Sequence, residues 1–171
     1  MVLSKFKERA GWIITLFAAM LALNSILDGG NSSQILSDTV EANNVWAFYQ
    51  AKAIKQTLTE MRYEDALARN DNKTADILKA KVDRYESDPK SGEGKKELMA
   101  KARAIEENRA LCELKGPWYT FSNAAFQIAI VIMAAAMISL SLRMYWISIG
   151  VGFLATLLML QGFWLFLPIL I

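Results

Sequence analysis

Three stretches of the chain carry no charged residue and no polar stripe. Residues 11–27 read G-W-I-I-T-L-F-A-A-M-L-A-L-N-S-I-L, and residues 121–142 and 145–171 are similar in kind. A bilayer's hydrocarbon takes about 20 apolar helical residues to cross. The first stretch, 17 residues, sits at the short end of that range, and the third is long enough to span with tilt. A core helix of a water-soluble protein keeps a polar face, and these stretches do not. Only Arg143 and Met144 separate the second from the third, which makes those two an antiparallel hairpin.

The pattern between the first and second stretches is different. Gly29, Gly30, Asn31 and Ser32 have the composition of a turn and are expected to break the chain after the first span. Residues 35–69 then contain no Gly or Pro and read as one long helix. Val40, Asn44, Ala47, Ala51, Ile54, Leu58 and Met61 recur at spacings of four and three, the heptad seam that lets one helix lie along another. Residues 74–86 repeat the pattern with Ala75, Leu78, Val82 and Tyr85 on one face, and are the expected partner of that seam. Pro89, Gly92 and Gly94 make residues 87–94 a loop. Residues 95–115 are helical again, with Leu98, Ala102, Ile105 and Cys112 on one stripe, and Gly116-Pro117 is expected to end them.

The fold class that follows is an all-α integral membrane protein. It has three transmembrane helices and a helical hairpin, coiled-coil-like, as a soluble domain between the first and second. The segments are 1–28 for the N-terminal tail and first span, 29–118 for the soluble hairpin, 119–144 for the second span and 145–171 for the third.

Composition sharpens this picture. Of 19 Lys and Arg, 15 lie between Lys52 and Lys115, and of 17 Asp and Glu, 15 lie between Asp38 and Glu113. The middle is thus nearly neutral and has no broad field to attract nucleic acid. Lys5, Lys7 and Arg9 precede the first span and Arg143 marks the hairpin turn, all on one side of a three-span chain. The positive-inside rule then puts the N-terminus in the cytoplasm and the middle domain outside, in the periplasm if this is a bacterial inner membrane. No A-x-A site follows the first apolar run, so it reads as an uncleaved signal anchor. Trp12, Trp118, Tyr119, Tyr145, Trp146, Phe163, Trp164 and Phe166 fall at predicted interfaces, where amphipathic rings favour the headgroup level.

Within the long helix, Asn43-Asn44-x-Trp46-Ala47-Phe48-Tyr49-Gln50-Ala51-Lys52-x-Ile54-Lys55-Gln56 resembles the signature of a bacterial membrane family, the domain of unknown function 4337 family. Tyr85-Glu86-Ser87-Asp88-Pro89, Gly92-Glu93-Gly94-Lys95-Lys96-Glu97-Leu98 and Phe126-Gln127-Ile128-Ala129-Ile130-Val131 are similar too, in order along nearly the whole chain. The resemblance implies an N-terminal span, a helical insert and a C-terminal hairpin. It implies no activity, and no functional residue carries over from it.

Catalytic chemistry is hard to place here. There is no His, which removes the commonest general base and metal ligand. The single Cys, Cys112, reads as a small apolar helix residue. Glu64-Asp65 and Glu106-Glu107 lack the His of a di-metal helix motif and read as solvated faces. Gly92-Glu93-Gly94-Lys95-Lys96 lacks the spacing and hydroxyl of a phosphate loop. No enzyme, cofactor or metal is expected. Asn24, Gln127 and Gln161 are candidates for interhelical hydrogen bonds within the spans.

The expected function is a non-enzymatic scaffold, lying in the lipid bilayer and self-associating as a homo-oligomer. Its candidate interface is Asn44, Trp46, Phe48, Tyr49, Ala51, Ile54, Leu58 and Met61. A buried Asn44 sets register or subunit number, and the aromatic cluster offers interface anchors. An accessory subunit docked to other membrane proteins and an oligomeric pore are the alternatives.

Overall fold

The computed structural model describes residues 2–165. Among these the chain is all α-helical, with α1 over Val2–Ala68, α2 over Asn72–Glu86, α3 over Lys95–Ser139 and α4 over Leu142–Trp164. Three of them, α1, α3 and α4, are long and apolar enough to cross a membrane. Phe166 and the end of the third apolar stretch, residues 166–171, lie outside the described residues.

Two expected breaks are corrected. Helix α1 runs through Gly29-Gly30-Asn31-Ser32 without interruption, and α3 runs through Gly116-Pro117. Each glycine costs a helix about 1 kcal/mol and an interior proline about 3, and Pro117 cannot donate to the carbonyl four residues back. Packing overrides both. Along α3 one continuous stripe of covered residues, Leu98, Ala102, Ile105, Arg109, Cys112, Gly116, Tyr119, Asn123, Phe126, Ile130, Met133 and Met137, runs at alternating spacings of four and three. A break at Gly116 would throw the two halves of that stripe out of phase. Near the same level, Asn31 Nδ2 donates to the Cys112 carbonyl at 2.9 Å.

The ends of α1 and α3 use left-handed caps. Asn70 has φ 56°, with Asn70 N–H donating to Leu67 O at 3.0 Å and Asp71 N–H to Ala66 O at 3.0 Å. That is a Schellman motif. Asp71 then caps α2, its carboxylate accepting from Thr74 N–H at 3.2 Å. Leu140, φ 53°, repeats the device as Ser141 N–H donates to Ala136 O at 3.2 Å. The expected turn at Arg143 and Met144 therefore lies three residues too late: α4 begins at Leu142 and both residues are in its first turn.

The chain divides into two compact units, Met1–Ile35 with Leu111–Ile171, and Leu36–Ala110. The core of the first is Phe17, Phe126, Ala129 and Ala155, with Ile13, Met20 and Val151 against it. The Phe17 and Phe126 rings meet at a tilt of 50° with centroids 6.3 Å apart. Phe17 fits because Gly152 on α4 has no side chain; a Cβ there would strike the end of its ring. Hydrogen bonds fasten the same helices. Ser148 Oγ donates to the Ala129 carbonyl at 2.6 Å and Ser122 Oγ to the Ala155 carbonyl at 2.9 Å.

In the second unit α1 packs on α3 through Val45, Leu98 and Ala102, with Trp46, Tyr49 and Ile105 partly covered around them. Asn108 Nδ2 donates to Asp38 Oδ2 at 2.6 Å, and Lys101 pairs with Glu41 at 2.9 Å. Ala75, Leu78, Val82 and Tyr85 are covered, as the stripe on α2 predicts.

Candidate functional site

Helix α1 carries two heptad stripes in the second unit. Asp38, Ala42, Val45, Tyr49, Lys52, Gln56, Thr59, Tyr63 and Ala66 are buried or partly buried. Val40, Asn44, Ala47, Ala51, Ile54, Leu58 and Met61 are all exposed. The two sets are offset by two residues, roughly 200° around the helix, so they occupy opposite faces. This corrects the expectation that the seam from Val40 to Met61 packs against residues 74–86. The covered stripe is the polar-looking one, and the seam that reads as apolar faces outward. Its large members are well exposed: Ile54 62%, Leu58 55% and Met61 59%.

The aromatic cluster splits between these faces. Trp46 and Tyr49 belong to the packed side, edge to face at 5.4 Å, and Trp46 Nε1 donates to Glu106 Oε1 at 2.8 Å. Lys95 lies over the Tyr49 ring at 5.9 Å. Phe48 is 60% exposed and borders the outward seam. Of the eight interface candidates, the structure therefore gathers Asn44, Phe48, Ala51, Ile54, Leu58 and Met61 on one exposed face and holds Trp46 and Tyr49, partly covered, against the core.

The candidate polar contacts within the spans also divide. Asn24 is fully buried; its Nδ2 donates at 2.8 Å to both the Tyr119 carbonyl and Asn123 Oδ1. Asn123 in turn donates to Asp28 Oδ2 at 3.1 Å. Gln161 is buried on α4. Gln127 is corrected: it points outward, next to buried Phe126 and two residues before buried Ala129, with its side chain off the packed face of α3. Ser122 and Ser148 do the work expected of it. Their hydroxyls return to backbone carbonyls on the neighbouring helix, a use that no spacing in the chain announces.

A dense ionisable cluster lies in the loop between α2 and α3. Asp88 accepts from Arg84 Nε at 2.9 Å and from Ser91 N–H at 3.3 Å. Glu97 accepts from Ser87 Oγ at 2.6 Å and from Asp88 N–H at 3.2 Å. Gly94 lies so close to this knot that a Cβ would meet the Glu97 carboxylate and the backbone of Ser87 and Asp88. The hydrogen bond from Arg84 holds Asp88 at about 2, and the bond from Ser87 holds Glu97 below its ordinary value. Depressed carboxylates contribute stability above their unfolded value of about 4 and lose it as pH falls through the folded one. Hydrogen exchange, corrected for intrinsic rate, should therefore show protection of the Gly92 amide, which donates to Asp88 O at 2.8 Å, disappearing between about pH 4 and pH 2. Full protection at pH 2 would sever the loop's order from these carboxylates.

Among the described residues no three His, Cys, Asp or Glu side chains gather as metal ligands. Glu106 is engaged by Trp46, and Asp65 pairs with Arg69 at 3.9 Å on the surface. The profile of one family, the domain of unknown function 4337, matches residues 6–165. The chain belongs to that family. No curated protein and no solved structure matches it. The DUF4337 match spans both compact units and all four helices, so the outward seam, the glycine contact at Gly152 and the carboxylate loop all fall within one family domain.

Proposed function

We propose that this protein is a non-enzymatic scaffold of a bacterial inner membrane, self-associating through the outward face of α1. In this reading the apolar parts of α1, α3 and α4 span the bilayer. The N-terminus is cytoplasmic and the 36–110 unit is periplasmic. Trp12, Ile26, Val131, Ile138 and Phe153 support the membrane part: each is large, apolar and between 65% and 82% exposed, which water would penalise and lipid would not.

The observation that carries self-association is the exposed heptad seam opposite the packed one. Two copies anchored in one membrane hold α1 in the same direction, so the seams pair in parallel. Asn44 then meets its own counterpart at an a position, the arrangement that favours a defined register and few strands. The flanking pairs are Asn43 with Phe48, Gln50 with Lys55 and Thr57 with Arg62 across the two copies, and none sets like charges together. Leu36, Val40, Phe48, Ile54, Leu58 and Met61 would remove roughly 600 Å² per copy, about 1,200 Å² for a pair, above the ~1,000 Å² expected of a specific interface.

Light scattering in mild detergent, corrected for bound detergent, should give a discrete multiple of 19.2 kDa. A monomer at every concentration rejects the proposal. A larger particle containing foreign polypeptides instead favours the accessory-subunit reading, with exposed Phe48 as its anchor. A shared pore has less to build on, because Asn24 and Gln161 are buried within the chain and Gln127 alone of the three faces outward.

A further inference from the structure

At one end of the first unit, the start of α1 meets the start of α4. Lys5, Phe6, Arg9, Leu142, Tyr145 and Trp146 line a cavity of about 440 Å³ there. Lys5 and Arg9 stand four apart, one above the other on the same helix face. Both are exposed, and neither has an ion-pair partner among the described residues. Phe6 and Tyr145 close the floor with ring centroids 5.5 Å apart, and Tyr145 and Trp146 meet edge to face at 5.8 Å. Leu142 and Trp146 are 61% and 63% exposed, so the cleft opens along an apolar wall. The first N–H groups of α4 have no intrahelical acceptor, and Ser141 supplies no side-chain cap, which adds positive potential at the same end.

We propose that this cleft is a binding site for an anionic phospholipid. Arg9 and Lys5 donate to the phosphodiester oxygens, Arg9 through its planar fork. Tyr145 and Trp146 sit at the glycerol level, and the acyl chain runs down the Leu142 and Trp146 side. An inorganic phosphate would use only the cationic half; the apolar wall is what selects a lipid. The site rests on the membrane-spanning reading but is independent of self-association, since every lining residue comes from one chain.

Native mass spectrometry of the full chain in detergent, offered phosphatidylglycerol and phosphatidylcholine, tests it. Wild type should prefer phosphatidylglycerol, and Lys5→Gln with Arg9→Gln should lower that preference on the order of thirtyfold. Lys7→Gln with Arg143→Gln removes the same charge from residues that do not line the cleft and should leave the preference nearly intact. Equal loss in the two doubles would overturn the site in favour of diffuse charge. Displacement of the lipid by excess inorganic phosphate would overturn the lipid in favour of a bare ion site. A readout that touches neither cation is quenching by phosphatidylglycerol brominated on its acyl chains. Wild type should be quenched more than Trp146→Phe, and an identical quenched fraction would also reject the site. Failure of the membrane reading would show separately, as protein entering the aqueous phase in detergent phase separation, and would remove this site with it.

Discussion

Replacing Gly152 by leucine is expected to be among the most destabilising single changes in the protein. Two effects oppose each other. A glycine within a helix gives up about 1 kcal/mol relative to a good helix former, so any side chain at 152 starts with that gain. Against it stands the ring of Phe17, whose end atoms occupy the place of the new Cβ. Phe17 is 8% exposed and is held against Phe126 and Ala129 in the core, so it has nowhere to retreat. Overpacking a filled core costs typically about 1–3 kcal/mol for small insertions and occasionally more, and leucine adds three carbons beyond the Cβ. The net sign is loss.

Gly150, two residues away on the same helix, has open space around it. Gly150→Leu should be neutral or gain up to ~1 kcal/mol. The cause can be isolated by Phe17→Ala, which alone leaves a cavity. Combined with Gly152→Leu, the two changes should recover part of each other's cost, as contacting residues do in a double-mutant cycle. Unfolding of the purified protein in detergent, followed by near-ultraviolet circular dichroism, reads this out. Additive losses, or a Gly152→Leu midpoint equal to wild type, would contradict the contact.

That contact also shows what a chain of letters conveals and what it gives away. Charge-free stretches announce the three apolar helices because a single ionisable residue is costly in such a segment. Ala75, Leu78, Val82 and Tyr85 announce a packed face on α2, and Pro89 with Gly92 and Gly94 announces the loop. These are local signals. The failures occur where a tertiary term outweighs a local one. Gly29-Gly30 and Gly116-Pro117 are breakers by propensity, but α1 continues through the first pair and the stripe on α3 keeps its phase through the second. Leu140 adopts a left-handed cap without a glycine to advertise it, so the turn before α4 looks like helix.

The faces of α1 run against hydrophobicity for a related reason. Hydrophobicity marks Val40 to Met61 as the core side, whereas the side that packs within the chain contains Asp38, Lys52, Gln56 and Thr59. Those polar groups are tolerated there because many have partners: Asp38 accepts from Asn108, Thr59 donates to the Lys55 carbonyl at 2.7 Å, and Lys52 reaches Glu93 at 3.3 Å and lies over the Tyr85 ring at 5.7 Å. Partners distant in sequence, such as Asn108, Glu93 and Tyr85, are invisible to a periodicity argument. The lipid cleft is illegible for the same reason, since residues 5–9 and 142–146 become neighbours only through the fold.

The outward face of α1 bears directly on assembly. Substituting Ile54→Lys together with Leu58→Lys is expected to leave the folded chain intact and abolish self-association. Both side chains are more than half exposed in the single chain, so lysine there buries nothing within it. The new charges lie near Lys55 and Arg62, and like-charge pairs on an exposed helix cost only about 0.2–0.5 kcal/mol each. In the paired seam the balance reverses. Positions 54 and 58 are consecutive d and a layers, each meeting its own counterpart, so four ammonium groups would crowd one stretch of core. An uncompensated buried charge costs about 3–5 kcal/mol, and even one such cost weakens association more than a hundredfold. Helical circular dichroism and thermal midpoint should match wild type, while light scattering falls to a single chain. Ile77→Lys, on an exposed α2 position, should change neither. Asn44→Leu separates this seam from any other contact: it should tighten association and blur subunit number, because the polar layer that restricts strand count is gone. An oligomer indifferent to both the lysines and the leucine would have to be held by some other surface, and the outward face of α1 would then need a different partner.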